Sequence, residues 1–343
     1  MYLILMQISN KRMNLQNRIQ ILVKLGQFMT SNDKQWSTVI EKAGIYNPWF
    51  TPAFIECSLR NIREQYLNEK ALNEWLSNYS INEEKPIKNI GIVMAGNIPM
   101  VGFHDFLCVF LAGHRQTIQF SSKDNILLPF LIETIKSWHP QVGDYFVDAP
   151  NLKGCDAYIA TGGNRSSVYF EQYFSKYPNI IRKNRTSVAI LTGDESTEDL
   201  LALADDVHTY FGLGCRNVTQ INVPTNYDFI PLIDAFKSYA HLREISRYSN
   251  NYDYQLSLIL LNQTPYMSSD GILLIESDEI FSPISVLHYQ FYTDQTANST
   301  SFLLNNEVQC IVGKNHTTFG SAQCPKLNTY ADGIDTMRFL LEC

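Results

Sequence analysis

The sequence has 343 residues, which at ~150 residues per domain is the length of about two domains. Its 27 Lys and Arg against 34 Asp and Glu leave a net charge of −7, and this argues against a partner held by its nucleic-acid phosphates. With 45% hydrophobic and 18% charged residues the chain can bury a sizeable core, which excludes a disordered, collagen-like or coiled-coil protein.

The chain opens on MYLILMQIS, an apolar run far shorter than the ~20 residues of a spanning helix. No small-residue cleavage pattern follows it. Met13 precedes a better amphipathic stretch, with Leu15, Ile19, Leu22 and Leu25 at helical spacing. Residues 1–12 therefore read as a start-site extension. No later run approaches membrane length, so a cytoplasmic protein with no integral membrane segment is expected. The seven cysteines are odd in number, scattered and free of CxxC pairs, and they read as reduced thiols.

Residues 14–80 read as helical, with Trp36, Trp49 and Trp75 as packing anchors. IGIVMA (90–95) then has the continuous apolar texture of a buried parallel strand. A helix over 104–113, a strand at 117–122, a helix from Asp124 to Trp138, strands at 145–150 and 156–163 and a helix at 165–176 follow. SVAIL (187–191) and a helix over 195–211 continue the alternation. After Cys215 come a strand at 217–224, a helix at 228–244 and strands near 271–275 and 284–292. Strands alternating with helices at this pace predict βαβ units and doubly wound sheets.

Common sites are missing: the sequence has no GxxxxGK[ST], HExxH, EF-hand loop or GxSxG elbow. GLGCRN (212–217) has Asn217 where a dinucleotide fingerprint needs its third glycine. Cys215 follows a glycine-rich turn between a helix and a strand, where the backbone can approach a ligand and a thiolate can act as nucleophile. Taken alone, a packing cysteine is the better account of it. GNIP (96–99) puts an Asn amide at a strand's carboxyl end, where open α/β sheets bind ligands. A turn-forming Asn is its plainer reading. ATGG (160–163), opening a helix, forms a phosphate cradle or an ordinary Gly-Gly turn. Asp105 reads as a helix N-cap, and Cys108, Cys155 and Cys324 as core residues.

Taken in order, GNIPMVGFHDFL (96–107), SSKD (121–124), ATGGN (160–164), YFGLGCRNV (210–218), DEIFSPISVL (278–287) and FGSAQCPKLNTYADGIDTM (319–337) resemble the acyl-CoA reductases of the LuxC type, within the aldehyde dehydrogenase superfamily. The resemblance covers residues ~85–343. It implies an α/β, aldehyde dehydrogenase-like fold, with a Rossmann-like cofactor domain and a second α/β catalytic domain. In these terms residues 1–84 form an N-terminal helical segment and 85–185 the cofactor-binding domain. Residues 186–313 form the catalytic domain, and 314–343 a segment returning to the cofactor domain.

The resemblance also implies roles. Cys215 matches the catalytic thiol, and Asn97 matches the amide that joins the Cys backbone N–H in an oxyanion hole. Thr161, Gly162 and Gly163 match the turn that approaches the cofactor's phosphates and nicotinamide. Glu279 matches the carboxylate that holds the nicotinamide ribose, and Phe281 the ring beside the cofactor. Ser121 falls on the strand end bordering the adenosine ribose.

Two departures matter. The superfamily commonly places a Lys two residues before that serine; here Gln119 stands there, with Lys123 nearby. NADPH is the expected cofactor, with NADH as the alternative. Hydrolysing members carry a general-base Glu roughly thirty residues before the Cys, and the matching stretch here, NIIRKNRTSV (179–188), contains no acid. Water is then poorly activated against an acyl-enzyme. The expected reaction is reduction of a fatty acyl-CoA, expected to be long-chain, to the aldehyde through a Cys215 thioester. Oxidation of an aldehyde to an acid with NAD(P), and an acyl-transfer or scaffold subunit without hydride transfer, are the alternatives. Arg182, Lys183 and Arg185 are candidates for holding the anionic CoA. No nucleic acid and no metal are expected, and homo-oligomerisation is left open.

Overall fold

A computed structural model describes residues 13–343. The reading of residues 1–12 lies outside them. Two compact units form, one from the N-terminal part through Lys183 together with Pro325–Cys343, the other Asn184–Cys324.

The first unit begins with four helices, α1 (Leu15–Phe28), α2 (Lys34–Tyr46), α3 (Pro52–Tyr66) and α4 (Glu69–Leu76). Each starts where a short polar side chain accepts a backbone N–H: Asn14, Asp33, Thr51 and Asn68 cap them in turn. The alternating part follows, with β1 (Asn89–Val93), α5 (Phe103–Ala112), β2 (Arg115–Gln119), α6 (Leu127–Trp138), β3 (Phe146–Asp148), β4 (Ala157–Thr161), α7 (Asn164–Phe174) and β5 (Asn179–Arg182). All pairings are parallel and the sheet order is β3-β2-β1-β4-β5. Helix α5 is buried almost all round, which its run FLCVFLA dictates. Its end turns on left-handed Gly113, and buried Arg18 donates to the Leu111 carbonyl at 3.1 Å. Trp36 and Trp75 are buried in the first unit's core and Trp49, partly buried, packs against that core, as expected.

The second unit contains β6 (Thr186–Ile190), α8 (Thr197–His208), β7 (Val218–Pro224), α9 (Ile230–Phe236), α10 (Ser246–Leu261), β8 (Met267–Ser268), β9 (Leu273–Glu276), β10 (Val286–Tyr292), α11 (Gln295–Leu303) and β11 (Val308–Gly313). The sheet order is β11-β6-β7-β10-β9-β8, parallel except for the β8–β9 pair. A capping box of Ser196 and Asp199 starts α8.

Residues 319–324 stay with the second unit, because the Asp206 carboxylate accepts the Gly320 and Ala322 N–H groups at 2.7 and 2.9 Å. The return to the first unit thus comes at Pro325 rather than at 314. There the last helix, α12 (Thr336–Glu342), buries Met337 and Leu340 in the first unit's core. The sequence reading passed over β5 and β11. Among the described residues no helix is long and apolar enough to cross a membrane.

Candidate active site

In the first unit the chain builds the sheet outward from β1 through β2 to β3, then crosses back to add β4 and β5 on the other side. Ligands bind outside the carboxyl ends of the strands where the order reverses, here between β1 and β4. Asn97 follows β1, Ser121 follows β2, and Thr161 ends β4 with Gly162 and Gly163 after it. The structure therefore brings these five residues to one edge of one sheet.

The Asn97 turn is fixed on both flanks. A Cβ on Gly96 would lie 2.5 Å from Ser121 Oγ and 3.2 Å from Asp124 Cβ, so only glycine fits. Met100 has φ 55°, a left-handed conformation that costs a non-glycine residue about 1 kcal/mol. Its N–H donates to Asp124 Oδ2 at 2.7 Å, and Ser58 Oγ donates to the Pro99 carbonyl at 2.7 Å. Asn97 itself is exposed. Burial pushes the Asp124 carboxyl up to about 7, against the Met100 N–H, which pulls the other way.

Gly162 and Gly163 are glycines for different reasons. A Cβ on Gly162 would meet the Phe170 ring at 2.9 Å and Ser166 Cβ at 3.0 Å. A Cβ on Gly163 would meet nothing within 4 Å, and its φ of −71° suits any residue. Nothing in the fold needs that glycine, so the space over it suits a ligand. It is also the N-cap of α7 and gives the helix no side-chain cap. This is the turn expected from the sequence to approach the cofactor's phosphates.

Behind this turn the structure corrects two expectations. Asp105 does not cap α5, whose N-cap is Gly102; it pairs with the buried Arg182 at 2.5 Å. The same guanidinium donates to Thr336 Oγ1 at 2.9 Å and reaches Thr161 Oγ1 at 3.4 Å. Arg182 is thus an internal tie between β4, β5, α5 and α12, and is too buried to hold CoA. Lys183 is exposed and pairs with Glu171 at 2.8 Å.

In the second unit Cys215 is half-buried in the turn between α8 and β7. Tyr210, Phe211 and Gly212 before it are all left-handed. One side chain organises this strained segment. Asn217, fully buried, accepts the Gly214 N–H at 2.8 Å and donates to the carbonyls of Thr209 at 2.7 Å and Asp206 at 3.0 Å. The residue that breaks the glycine fingerprint is the one that builds the turn. Ser187 Oγ donates to the Cys215 carbonyl at 3.1 Å and lies 3.1 Å from Cys310 Sγ. Burial pushes the Cys310 thiol up, which leaves it a packing residue.

Glu279 and Phe281 lie on the loop between β9 and β10, the glutamate exposed and the ring half-buried. Gln220 Nε2 at 3.2 Å and His288 Nδ1 at 2.7 Å donate to the Glu279 carbonyl. Gln220 belongs to β7, the strand that follows the Cys215 turn. A cavity of about 20 Å³ is lined by His208, Phe211, Gly212, Val218, Ser282 and Val286 among others, and neither Cys215 nor Glu279 lines it. Sequence reasoning missed the anchors Asp124, Asn217 and Asp206, although it quoted the first two within motifs. Among the described residues no group of His, Cys, Asp and Glu could hold a metal ion.

No protein-family model matches this sequence, and neither does any curated protein. Solved structures do. Aldehyde dehydrogenase 21 from Physcomitrella patens, in complex with the reaction product succinate, superposes with a TM-score of 0.69 at 10% identity, over 97% of this chain and 85% of that one. NAD-dependent aldehyde dehydrogenase from Sinorhizobium meliloti gives 0.64 at 12% identity, over 88% and 70%. A variant of P. syringae AldA indole-3-acetaldehyde dehydrogenase, in complex with NAD+, gives 0.63 at 9%, over 88% and 72%. The chain has the aldehyde dehydrogenase fold.

Proposed function

We propose that the protein is a nicotinamide-dependent oxidoreductase of the aldehyde dehydrogenase type, and specifically an acyl-CoA reductase. The Cys215 thiolate attacks the thioester carbonyl of a fatty acyl-CoA. The oxyanion is stabilised by the Asn97 amide and the Cys215 N–H, donors of a kind worth ~3–4 kcal/mol each. The carbonyl re-forms, CoA leaves as its thiolate, and Cys215 carries the acyl group as a thioester. When bound, a reduced nicotinamide, NADPH or NADH, would supply a hydride to that thioester carbonyl. Ser121, Thr161, Gly162, Gly163, Glu279 and Phe281 place that cofactor. The thiohemiacetal oxyanion so formed collapses, returns the Cys215 thiolate and releases aldehyde.

The observation that carries the reductive over the hydrolytic direction concerns residues 179–188. Two carboxylates that meet this stretch are ion-paired, Asp105 with buried Arg182 and Glu171 with Lys183. A carboxylate engaged by a cation is a poor base for water. The second reading, oxidation of an aldehyde to its acid, is supported by the structural neighbours, which are aldehyde dehydrogenases.

Acyl-CoAs of increasing chain length, with NADPH and NADH consumption followed in parallel, separate the two. Aldehyde formed with one CoA released per hydride is the expected result. Acid formed from aldehyde without CoA would establish the second reading. Cys215→Ala should lower kcat roughly ten-thousand-fold or more with cofactor binding intact. Full activity in that variant would sink the assignment of the nucleophile.

A further inference from the structure

We propose that Asp124 is a positioning residue that sets the Asn97 amide for the reaction; the inference rests on the oxyanion role given to Asn97 above. Asp124 touches both flanks of the turn that bears Asn97. Its Cβ packs on Gly96, where no other residue fits, and its carboxylate accepts the N–H of left-handed Met100. Asn97 lies between these two contacts, so the backbone that carries its amide is held on both sides.

The plainer role for an Asp just before a helix is to cap it. Asp124 does not do so: α6 begins after Ile126 and receives no side-chain cap. The carboxylate instead turns back across the sheet edge to the residue after Pro99, and it is buried there. Burying a carboxyl group is costly, and this one spends its hydrogen bond on a single backbone N–H beside the candidate oxyanion donor. Asn47 Nδ2 donates to the neighbouring Lys123 carbonyl at 3.1 Å, which fixes the segment that carries Asp124. The result is a braced chain of contacts from α2, through Asp124, to the Asn97 turn.

The test uses the full chain, with acyl-CoA and the reduced nicotinamide it prefers. Asp124→Ala should lower kcat about 30- to 100-fold, with the acyl-CoA KM and the cofactor Kd changed less than about threefold. Asp124→Asn, whose Oδ1 can accept the same N–H, should stay within about threefold of wild type. Adding Asp124→Ala to Asn97→Ala should cost almost nothing more, since both changes remove one function. Met100→Gly in the Asp124→Ala background should restore part of kcat, because glycine takes the left-handed conformation freely.

Independent, multiplying effects of the Asn97 and Asp124 changes would overturn the inference. So would an Asp124→Asn variant as impaired as Asp124→Ala. Should Asp124→Ala not fold, Asp124→Ser, too short to reach Met100, carries the same expectations. If Asn97→Ala is itself fully active, the oxyanion assignment falls. If Asn97→Ala is inactive and Asp124→Ala normal, only the present inference falls.

Discussion

The turn bearing Asn97 and the turn bearing Cys215 solve one problem in two ways. Each departs from ordinary backbone geometry, with Met100 left-handed in one and Tyr210, Phe211 and Gly212 left-handed in the other. Each is held by a buried polar side chain that accepts an N–H of the turn, from Met100 in the first and from Gly214 in the second. The anchors differ in reach and charge. Asn217 lies inside its own motif, is neutral, and both accepts and donates. Asp124 comes from the next strand's end, is ionisable, and is helped by Ser58 from a helix still earlier in the chain. A local amide anchor makes its turn nearly self-contained, whereas a remote carboxylate ties its turn to packing elsewhere and to pH.

Removing the local anchor should have the largest effect on stability. Asn217→Leu strands the Gly214 N–H and deprives two buried carbonyls of their donor, at about 1–3 kcal/mol for each group left unsatisfied. A total of about 4 kcal/mol, read as a lowered denaturant midpoint with unchanged slope, is expected. A loss under about 0.5 kcal/mol would mean the turn holds without its amide, and the contrast between the two turns would disappear.

The same contrast explains what could be read from the sequence. IGIVMA announces a central strand because β1 is buried on both faces and its apolar run is continuous. NIIR and VQCIVG do not announce themselves, because β5 and β11 are edge strands with partly exposed positions. GLGCRN drew attention to Cys215 because everything that shapes its turn sits within a few residues, yet Asn217 registered only as a missing glycine. SSKD was visible as a motif, but nothing local shows that its aspartate bonds a residue on another loop. Asp105 misled for the same reason. An acid in a helix's first turn looks like a cap until its partner, Arg182 at the end of β5, is known. Partners distant in sequence leave no local pattern.

pH should separate the anchors next. Burial pushes Asp124 up to about 7, well above its unfolded value near 3.9. A raised folded pKa means the native state holds the proton more tightly. The stabilisation from this group is therefore complete below about pH 4 and is lost as pH rises through about 7. Between those limits wild type should lose on the order of 3 kcal/mol relative to Asp124→Asn, which does not titrate. Asp206, also pushed up to about 7 by burial, should add a parallel loss in the second unit that Asp124→Asn leaves in place. Chemical denaturation of both proteins at pH 4, 6 and 8 measures the difference. A stability gap that does not change with pH would remove the charge from the comparison.

The smallest expected change in stability tests the other end of the first unit's edge, where two adjacent glycines face different surroundings. Gly162→Ala drives a methyl into the Phe170 ring and Ser166, so a loss of about 1–2 kcal/mol is expected as those side chains shift. Gly163→Ala meets open space at an ordinary φ, and stability should change by less than about 0.5 kcal/mol. Its effect should appear instead in cofactor binding. On the proposed placement of the cofactor, a methyl over the start of α7 would block the approach of its diphosphate, and the Kd for the reduced nicotinamide should rise about tenfold or more. Titration of both variants by the cofactor's fluorescence gives the answer. Unaltered affinity in Gly163→Ala would place the diphosphate elsewhere, because no contact within the protein explains that glycine.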